Sequence, residues 1–286
     1  MHPKLYLLPF TSLVCLALTN AAIAQPPAPA APPAAPRPAP TPPPPVRFTA
    51  PVSLPFIEDF ESGQINTNIW DLRVHGDATI KISQANVAHG KNALAVHYPK
   101  GARGTYAFMA AHLPDSLHDE LYGRAYIYIN WMPPNHSVLL LAGTPGFPIN
   151  NFLEIGESRG QFQPSFQQNG DPTIFPRGET TAREGTIPIG RWFCLEWHFT
   201  DKPDRIVEWV DGQQVVDKSF AFKGANSELV KGFSEFDFGF RSWGRAENIT
   251  QDIDIYYDDI EISDKSIGQL TPVPQPPTAA PAAPSN

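Results

Sequence analysis

The chain has 286 residues, of which 42% are hydrophobic, and its formal net charge is −8. This length and apolar content are sufficient for a sizeable core, and the acidic balance disfavours nonspecific binding to nucleic acid. The two cysteines are Cys15 and Cys194. Because Cys15 lies in the leader described next, no disulfide is expected within the mature chain, and Cys194 is predicted to be a small buried apolar residue.

Residues 1–24 have the pattern of a secretory signal peptide. Lys4 gives a positive start, a largely apolar run follows, and residues 22–24 read Ala-Ile-Ala, an A-x-A cleavage site. The mature protein is therefore predicted to begin at Gln25 and to be secreted or periplasmic. The apolar run is short for a membrane helix, and no later segment is long and apolar enough, so no membrane span is expected.

Proline and alanine dominate the two flanks of the remaining chain. Thirteen of the 33 prolines lie in residues 25–52, and six more lie in residues 270–286. Segments of this composition do not form a core and favour extended polyproline II. We therefore predict a linker at 25–52, a single folded domain at 53–269 and a disordered tail at 270–286.

Apolar and polar residues alternate along residues 192–200, which predicts a strand with one wholly apolar face. A turn leads into a second strand at 205–210, and Asp211-Gly212 suits a two-residue hairpin into a third. The same pattern predicts further strands at 56–60, 79–83, 93–98, 106–111, 122–131, 137–142, 152–155, 161–167, 233–241 and 253–262. Only residues 114–121 and 226–231 suit a short helix. This predicts an all-β fold, a two-sheet antiparallel β-sandwich of the jelly-roll kind.

The strand at 122–131 carries the most informative polar face. Tyr122, Arg124, Tyr126 and Tyr128 share one side of it, while small and apolar residues occupy the other side. Tyrosine rings stack on sugar faces, and a guanidinium binds a carboxylate bidentately. The alternative is an ordinary tyrosine-rich outer face on which Arg124 forms a structural ion pair, because strands favour tyrosine in any case.

Two further strands offer polar side chains for a hydroxyl-rich ligand. Gln161 and Gln163 alternate with apolar residues, and their amides both donate and accept hydrogen bonds, although a solvated face would show the same pattern. Arg241 points outward from the strand at 233–241 and is a candidate to bind substrate. In that strand Glu235 and Asp237 have the spacing of paired glycosidase acids, but the third acid is missing, so no glycosidase is predicted.

His136 lies in the turn before the strand at 137–142. A histidine there is partly neutral near pH 7 and could act as a general base, although a lone loop histidine is more often simply solvated. Acids occur at both ends of the domain, where Asp59, Glu61 and Asp258 are candidate ligands for a structural Ca²⁺, which prefers six to eight oxygens. The alternative is a solvated acidic edge that discourages aggregation.

Three segments together resemble a known group: DFESG at 59–63 with Trp70, the hairpin RWFCLEW…VDG at 191–212, and YYDDIEIS at 256–263. The chain resembles the concanavalin A-like jelly-roll core of the fungal cellulose-induced protein type, related to glucuronan and alginate lyases. The resemblance implies bound calcium, a polysaccharide partner and relatives that cleave polyuronates by β-elimination. It also implies a groove with Arg, His or Lys, Gln and Tyr, for which the nearest candidates are Arg124, Tyr126, His136 and Gln163.

The leading hypothesis is thus a monomeric, secreted or periplasmic jelly-roll protein that acts on or binds a polysaccharide, and a polyuronate lyase is the specific activity considered. Arg124 would neutralise the substrate carboxylate, His136 or Tyr126 would take the C5 proton, and a tyrosine would protonate the leaving oxygen. The expected sugar-binding residues are Tyr122, Tyr128, Gln161, Gln163 and Arg241. The alternatives are a carbohydrate-binding module without catalysis and a cell-surface structural domain.

Overall fold

The computed structural model describes residues 50–114, 117, 119–144, 151–168, 184–220 and 232–268. The predicted signal peptide, the tail and most of the linker lie outside these ranges, as does the predicted short helix at 226–231. All the described residues belong to one unit, within residues 45–286.

The described part of this unit is almost entirely β-structure. Its fifteen strands are β1 (Phe56–Glu58), β2 (Trp70–His75), β3 (Thr79–Ser83), β4 (Ala93–Tyr98), β5 (Tyr106–His112), β6 (Glu120–Ile129), β7 (Ser137–Thr144), β8 (Asn151–Ser158), β9 (Gln161–Phe162), β10 (Ser165–Gln168), β11 (Trp192–Asp201), β12 (Asp204–Val210), β13 (Gln213–Ser219), β14 (Glu235–Ser242) and β15 (Ile253–Ser263). A single 3₁₀ turn at Ala246–Asn248 interrupts this pattern among the described residues.

The strands form two antiparallel sheets, which confirms the predicted sandwich. Sheet A has the order β13-β12-β11-β6-β15-β4-β3, and β1 also pairs with β15. Sheet B has the order β10-β8-β7-β14-β5-β2, and β9 also pairs with β8. The first and last strands therefore lie side by side, as expected for a jelly roll.

The core lies between the two sheets and follows from the period-two alternation. On β11, Phe193, Leu195, Trp197 and Phe199 are all at most 1% exposed. Trp197 stacks on Phe236 of β14, with ring centroids 5.6 Å apart and planes 6° from parallel. Removing a buried aromatic side chain of this kind typically costs about 3–5 kcal/mol of stability.

Some elements differ from the sequence prediction. Strand β2 was missed because its apolar alternation is weak, and its Leu72 and Val74 remain 40% and 43% exposed at the edge of sheet B. The predicted strand at 161–167 is two short strands, β9 and β10. Val52, assigned to the linker, is 6% exposed and its amide donates to the carbonyl of His112, so it belongs to the folded domain.

Across the described ranges, no helix combines the length and the apolar composition needed to cross a membrane.

Candidate functional site

The candidate residues are divided between the two outer faces of the sandwich. On β6, Ala125 and Ile127 belong to the core, so Arg124 and its tyrosine neighbours face outward from sheet A. His136 immediately precedes β7, and Arg241 lies on β14, both in sheet B. The expected cooperation of Arg124 with His136 on one sugar residue is therefore wrong, because the core separates the two side chains.

Arg124 forms a structural ion pair, which was the alternative interpretation of this residue in the sequence. Its Nη2 lies 2.7 Å from Oε2 of Glu261 on β15, and both side chains are at most 20% exposed. Tyr126 is 4% exposed and packs with Trp192 and Cys194 in a small apolar cluster on this face. Burial raises the pKa of Tyr126 to about 12, and the nearby Cys194 acts in the same direction. The phenol is therefore a poor proton acceptor near neutral pH.

The other two tyrosines of β6 also have protein partners. Tyr122 stacks on His198 of β11 with ring centroids 4.1 Å apart, and its hydroxyl donates to Glu120 at 2.6 Å. Tyr128 lies against Trp192 and Tyr256. Around Tyr126 and Tyr128 this face of sheet A is well packed, so the three tyrosines of β6 do not line one open groove.

Sheet B brings a different set of side chains together. One register row crosses five of its strands through His75, Tyr106, Arg241, Val138 and Gly156. The His75 and Tyr106 rings stack with centroids 5.4 Å apart. Since neighbouring strands lie about 4.8 Å apart, His75, Tyr106 and Arg241 stand side by side, and the row continues through the buried Val138 to Gly156.

Arg241 is the central charged group of this row. Its guanidinium carbon lies 3.6 Å from the centroid of a Trp243 ring and 5.8 Å from that of Tyr106. It makes no ion pair with any of the described residues. Burial lowers the pKa of Arg241, yet a guanidinium remains protonated in proteins, so its charge is available to an anionic ligand.

His136 lies at the end of the row, above a glycine. A Cβ on Gly156 would lie 2.7 Å from Cε1 of His136, so the ring occupies the space that the glycine leaves. The Nε2 atom is 3.5 Å from Oε2 of Glu154, to which the Ser165 hydroxyl also donates at 2.5 Å. Burial of the ring opposes protonation, but Glu154 and the nearby Glu157 outweigh it and raise the pKa of His136. The geometry thus favours a charged histidine that pairs with Glu154.

The two glutamines lie beside this row. The amide of Gln163 donates to the carbonyl of Gly156 at 2.9 Å, which places Gln163 next to His136. Gln161 pairs with Ser158 across the β8–β9 turn. Sheet B therefore gathers His136, Gln163 and Arg241 from the predicted set. Sequence reasoning missed Tyr106 and Trp243, and the signal for Trp243 was its two-residue spacing from Arg241, which places both on one face.

The paired acids of β14 form a closed cluster. Arg73 donates to Glu235 at 2.7 and 2.9 Å and to Asp237 at 3.0 Å. Both carboxyl groups are at most 1% exposed, and burial with the adjacent Glu235 raises the pKa of Asp237 strongly. The buried ion-pair cluster links β2 to β14 across β5.

The three predicted calcium ligands do not converge. Glu61 accepts from the amides of Lys91 and Asn92, whereas Asp258 accepts from the amides of Ala88 and His89. Asp59 accepts from the amide of Glu61. In the part of the chain that the structure describes, no three acidic, histidine or cysteine side chains are grouped as a metal site. Calcium binding at these residues therefore stays a prediction.

No protein-family model and no curated protein matches the sequence. Among solved structures, the chain is similar to cellulose-induced protein Cip1, with a TM-score of 0.56 and 18% identity over 74% of this chain and 99% of that one. It is similar to endo-β-1,4-glucuronan lyase from the fungus Trichoderma reesei, with a TM-score of 0.50 and 16% identity over 73% of this chain and 94% of that one. Alginate lyase Aly36B has a TM-score of 0.45 and 15% identity over 64% of this chain and 84% of that one. The first two similarities confirm the jelly-roll fold that the sequence motifs indicated.

Proposed function

We propose that this protein binds a uronate-containing polysaccharide across the outward face of sheet B, with Arg241 receiving a sugar carboxylate. The observation that carries the proposal is the Arg241 guanidinium, which is packed on Trp243 and Tyr106 and is not paired with a described carboxylate. A guanidinium fixed between aromatic rings loses little conformational freedom when it binds a carboxylate bidentately.

The neighbouring groups suit a sugar. Trp243 is 50% exposed, which is unusual for so large an apolar ring and leaves a surface on which a pyranose can stack. The half-buried Gln161 and Gln163 add amides that can hydrogen-bond with hydroxyl groups. With a net charge of −8, the protein does not attract polyanions in general, so binding has to depend on this one local positive site.

A second candidate function is cleavage of the same polymer by β-elimination. The observation in its favour is Tyr106, the register partner of Arg241, whose phenol can donate or accept a proton beside the bound carboxylate. Arg241 would stabilise the negative charge that develops next to that carboxylate. Titratable side chains beside a fixed cation are what such a reaction requires, and the solved lyases share this fold. Either function requires export, which the predicted signal peptide would provide.

The test uses the mature chain that begins at Gln25. Its affinity for a polyglucuronate, for alginate and for an uncharged β-glucan is measured by calorimetry, while absorbance of unsaturated uronate ends is recorded in parallel. We expect binding of a uronate polymer that weakens at least tenfold in Arg241→Gln. The matched control is Arg124→Gln, which removes a guanidinium from the opposite face and should leave affinity unchanged.

Equal affinity for the uncharged glucan, or an equal loss in the Arg124 variant, would contradict the proposed carboxylate site. Binding without any unsaturated product over long incubation would contradict the lyase function and leave a carbohydrate-binding module.

A further inference from the structure

A cleft of about 190 Å³ lies on the outer face of sheet A, away from the Arg241 row. Its walls include Tyr122, Glu196 and Trp209, and residues 266–268 form its rim. This volume is below the usual range for drug-sized ligands, so the cleft suits a single ring and not an extended chain. Nothing in the proposed polysaccharide site uses these residues.

Strand register explains how the walls come together. Trp209 of β12 lies directly opposite Glu196 of β11. On β6, Arg124 lies opposite Glu196, and Tyr122 is the next residue along β6 that faces outward. Gly123 contributes backbone only, because the indole of Trp197 fills the position that a Cβ would take on the inner side. Two aromatic side chains and one carboxylate therefore border a space with a backbone floor.

The charges around the cleft do not balance. The guanidinium opposite Glu196, that of Arg124, is engaged by Glu261 at 2.7 Å, and Arg205, which lies near His198, is paired with Asp217 at 2.7 Å. Glu196 is half-buried and forms no ion pair with a described residue, although it lies across from Arg124 in the sheet. Burial raises the pKa of Glu196 and outweighs the opposing effect of Arg124, and burial lowers the pKa of the adjacent His198. With His198 neutral near pH 7, the cleft has an excess of negative charge and favours a cation.

We propose that this cleft binds the protonated amine of an amino sugar. The aromatic rings of Tyr122 and Trp209 offer surfaces for the sugar ring and for a nearby positive charge, and Glu196 is the counter-ion. A bare metal ion is disfavoured, since the cleft presents one carboxylate where such ions need several oxygens. An anionic or neutral sugar would leave the Glu196 charge uncompensated.

The test titrates the mature chain with D-glucosamine and, as matched neutral controls, with glucose and N-acetylglucosamine, following tryptophan fluorescence and calorimetric heat. We expect glucosamine to bind and the two neutral sugars to bind at least tenfold more weakly. Glu196→Gln, which keeps the shape of the side chain, should weaken glucosamine binding at least tenfold. Trp209→Phe should weaken it less than Trp209→Ala.

Arg241→Gln serves as the control variant, because it lies on the opposite face and should leave glucosamine binding intact. This also separates the cleft from the proposed uronate site, so that either can fail without the other. Circular dichroism and thermal melts verify that each variant is folded. Equal binding of glucose and glucosamine, or undiminished binding in folded Glu196→Gln, would overturn the proposal. Equal binding of tetramethylammonium would show that the sugar ring contributes nothing and would overturn the amino-sugar assignment.

Discussion

Glu61 and Asp258 bind backbone amides of the same loop, from opposite ends of the domain. Oε1 of Glu61 accepts from two amides at 2.8 Å, and Oδ2 of Asp258 accepts from two others at 3.0 and 3.1 Å. The loop connects β3 to β4, and Asp258 lies at an irregularity where β15 changes its pairing with β6. The acids that suggested calcium in the sequence thus hold this loop in place.

The first prediction concerns calcium at this loop. If Ca²⁺ binds to the folded protein only, millimolar calcium should raise the melting temperature. At a hundredfold excess over Kd, the free energy of unfolding should rise by about 2.7 kcal/mol. Glu61→Gln and Asp258→Asn should each reduce this gain. Glu247→Gln, an exposed change in the 3₁₀ turn, is the control and should retain it. A melting temperature that chelator does not alter in a calcium-loaded sample would rule out the site.

The second prediction concerns the glycine beneath His136. Gly156→Ala places a methyl group 2.7 Å from Cε1 of His136 and 2.9 Å from a backbone oxygen of Gln163. Neighbours of this kind must shift, and overpacking typically costs about 1–3 kcal/mol. Chemical denaturation measures this loss. If the methyl group acts by displacing His136, the cost should fall when the same change is made in a His136→Ala background, and purely additive effects would refute that cause.

The third prediction is a pH dependence caused by Glu157. This residue is fully buried and accepts from the Gly160 amide, and burial raises its pKa to about 7. The pKa of Glu157 is near 4.5 in the unfolded state and about 7 in the folded state. Between these two pH values, the folded state binds the proton of Glu157 more tightly than the unfolded state does. Stability should therefore fall as pH rises through this window, by at most about 3 kcal/mol, and then level off for this group.

Urea unfolding at intervals between pH 4 and 8 measures this effect. Glu157→Gln cannot ionise and should lose the share of the decline that Glu157 causes, while Asp258, whose pKa burial also raises to about 7, keeps its own share. His136, whose pKa is also raised, contributes a separate decline that begins near the unfolded value of 6.5 and continues as pH rises through its folded pKa. A Glu157→Gln profile that parallels the wild type below pH 6.5 would show that Glu157 is not the cause.

The sandwich was predictable from the sequence, whereas the site was predictable only in part. Alternation along β6 and β14 shows correctly that Arg124 and Arg241 both point away from the core. It does not show that β6 belongs to one sheet and β14 to the other, since that depends on long-range pairing. Nor does it show that Glu261 already neutralises Arg124, because the partners lie far apart in the chain. Strand β2 escaped notice because an edge strand needs little apolar alternation.

The last prediction compares the two arginines in turnover. If β-elimination occurs on sheet B, Arg241→Lys should lower kcat more than it raises KM, because the charge beside the carboxylate develops in the transition state. The lysine keeps the charge but loses the bidentate fork. Tyr106→Phe removes only the hydroxyl and should lower kcat, and a thermal melt verifies that the variant is folded at the assay temperature. The rate at which unsaturated uronate forms is measured for the wild type, Arg241→Lys and Tyr106→Phe.

Arg124→Gln is the matched variant on the opposite face, and it should lower stability instead of turnover. Loss of the guanidinium leaves Glu261, which is 16% exposed, without its 2.7 Å partner. An unsatisfied, largely buried group of this kind costs about 1–3 kcal/mol, so the melting temperature should fall while kcat and KM stay near the wild-type values. A loss of turnover in Arg124→Gln under conditions where the protein remains folded, with Arg241→Lys fully active, would move the reaction to sheet A and refute the assignment to sheet B.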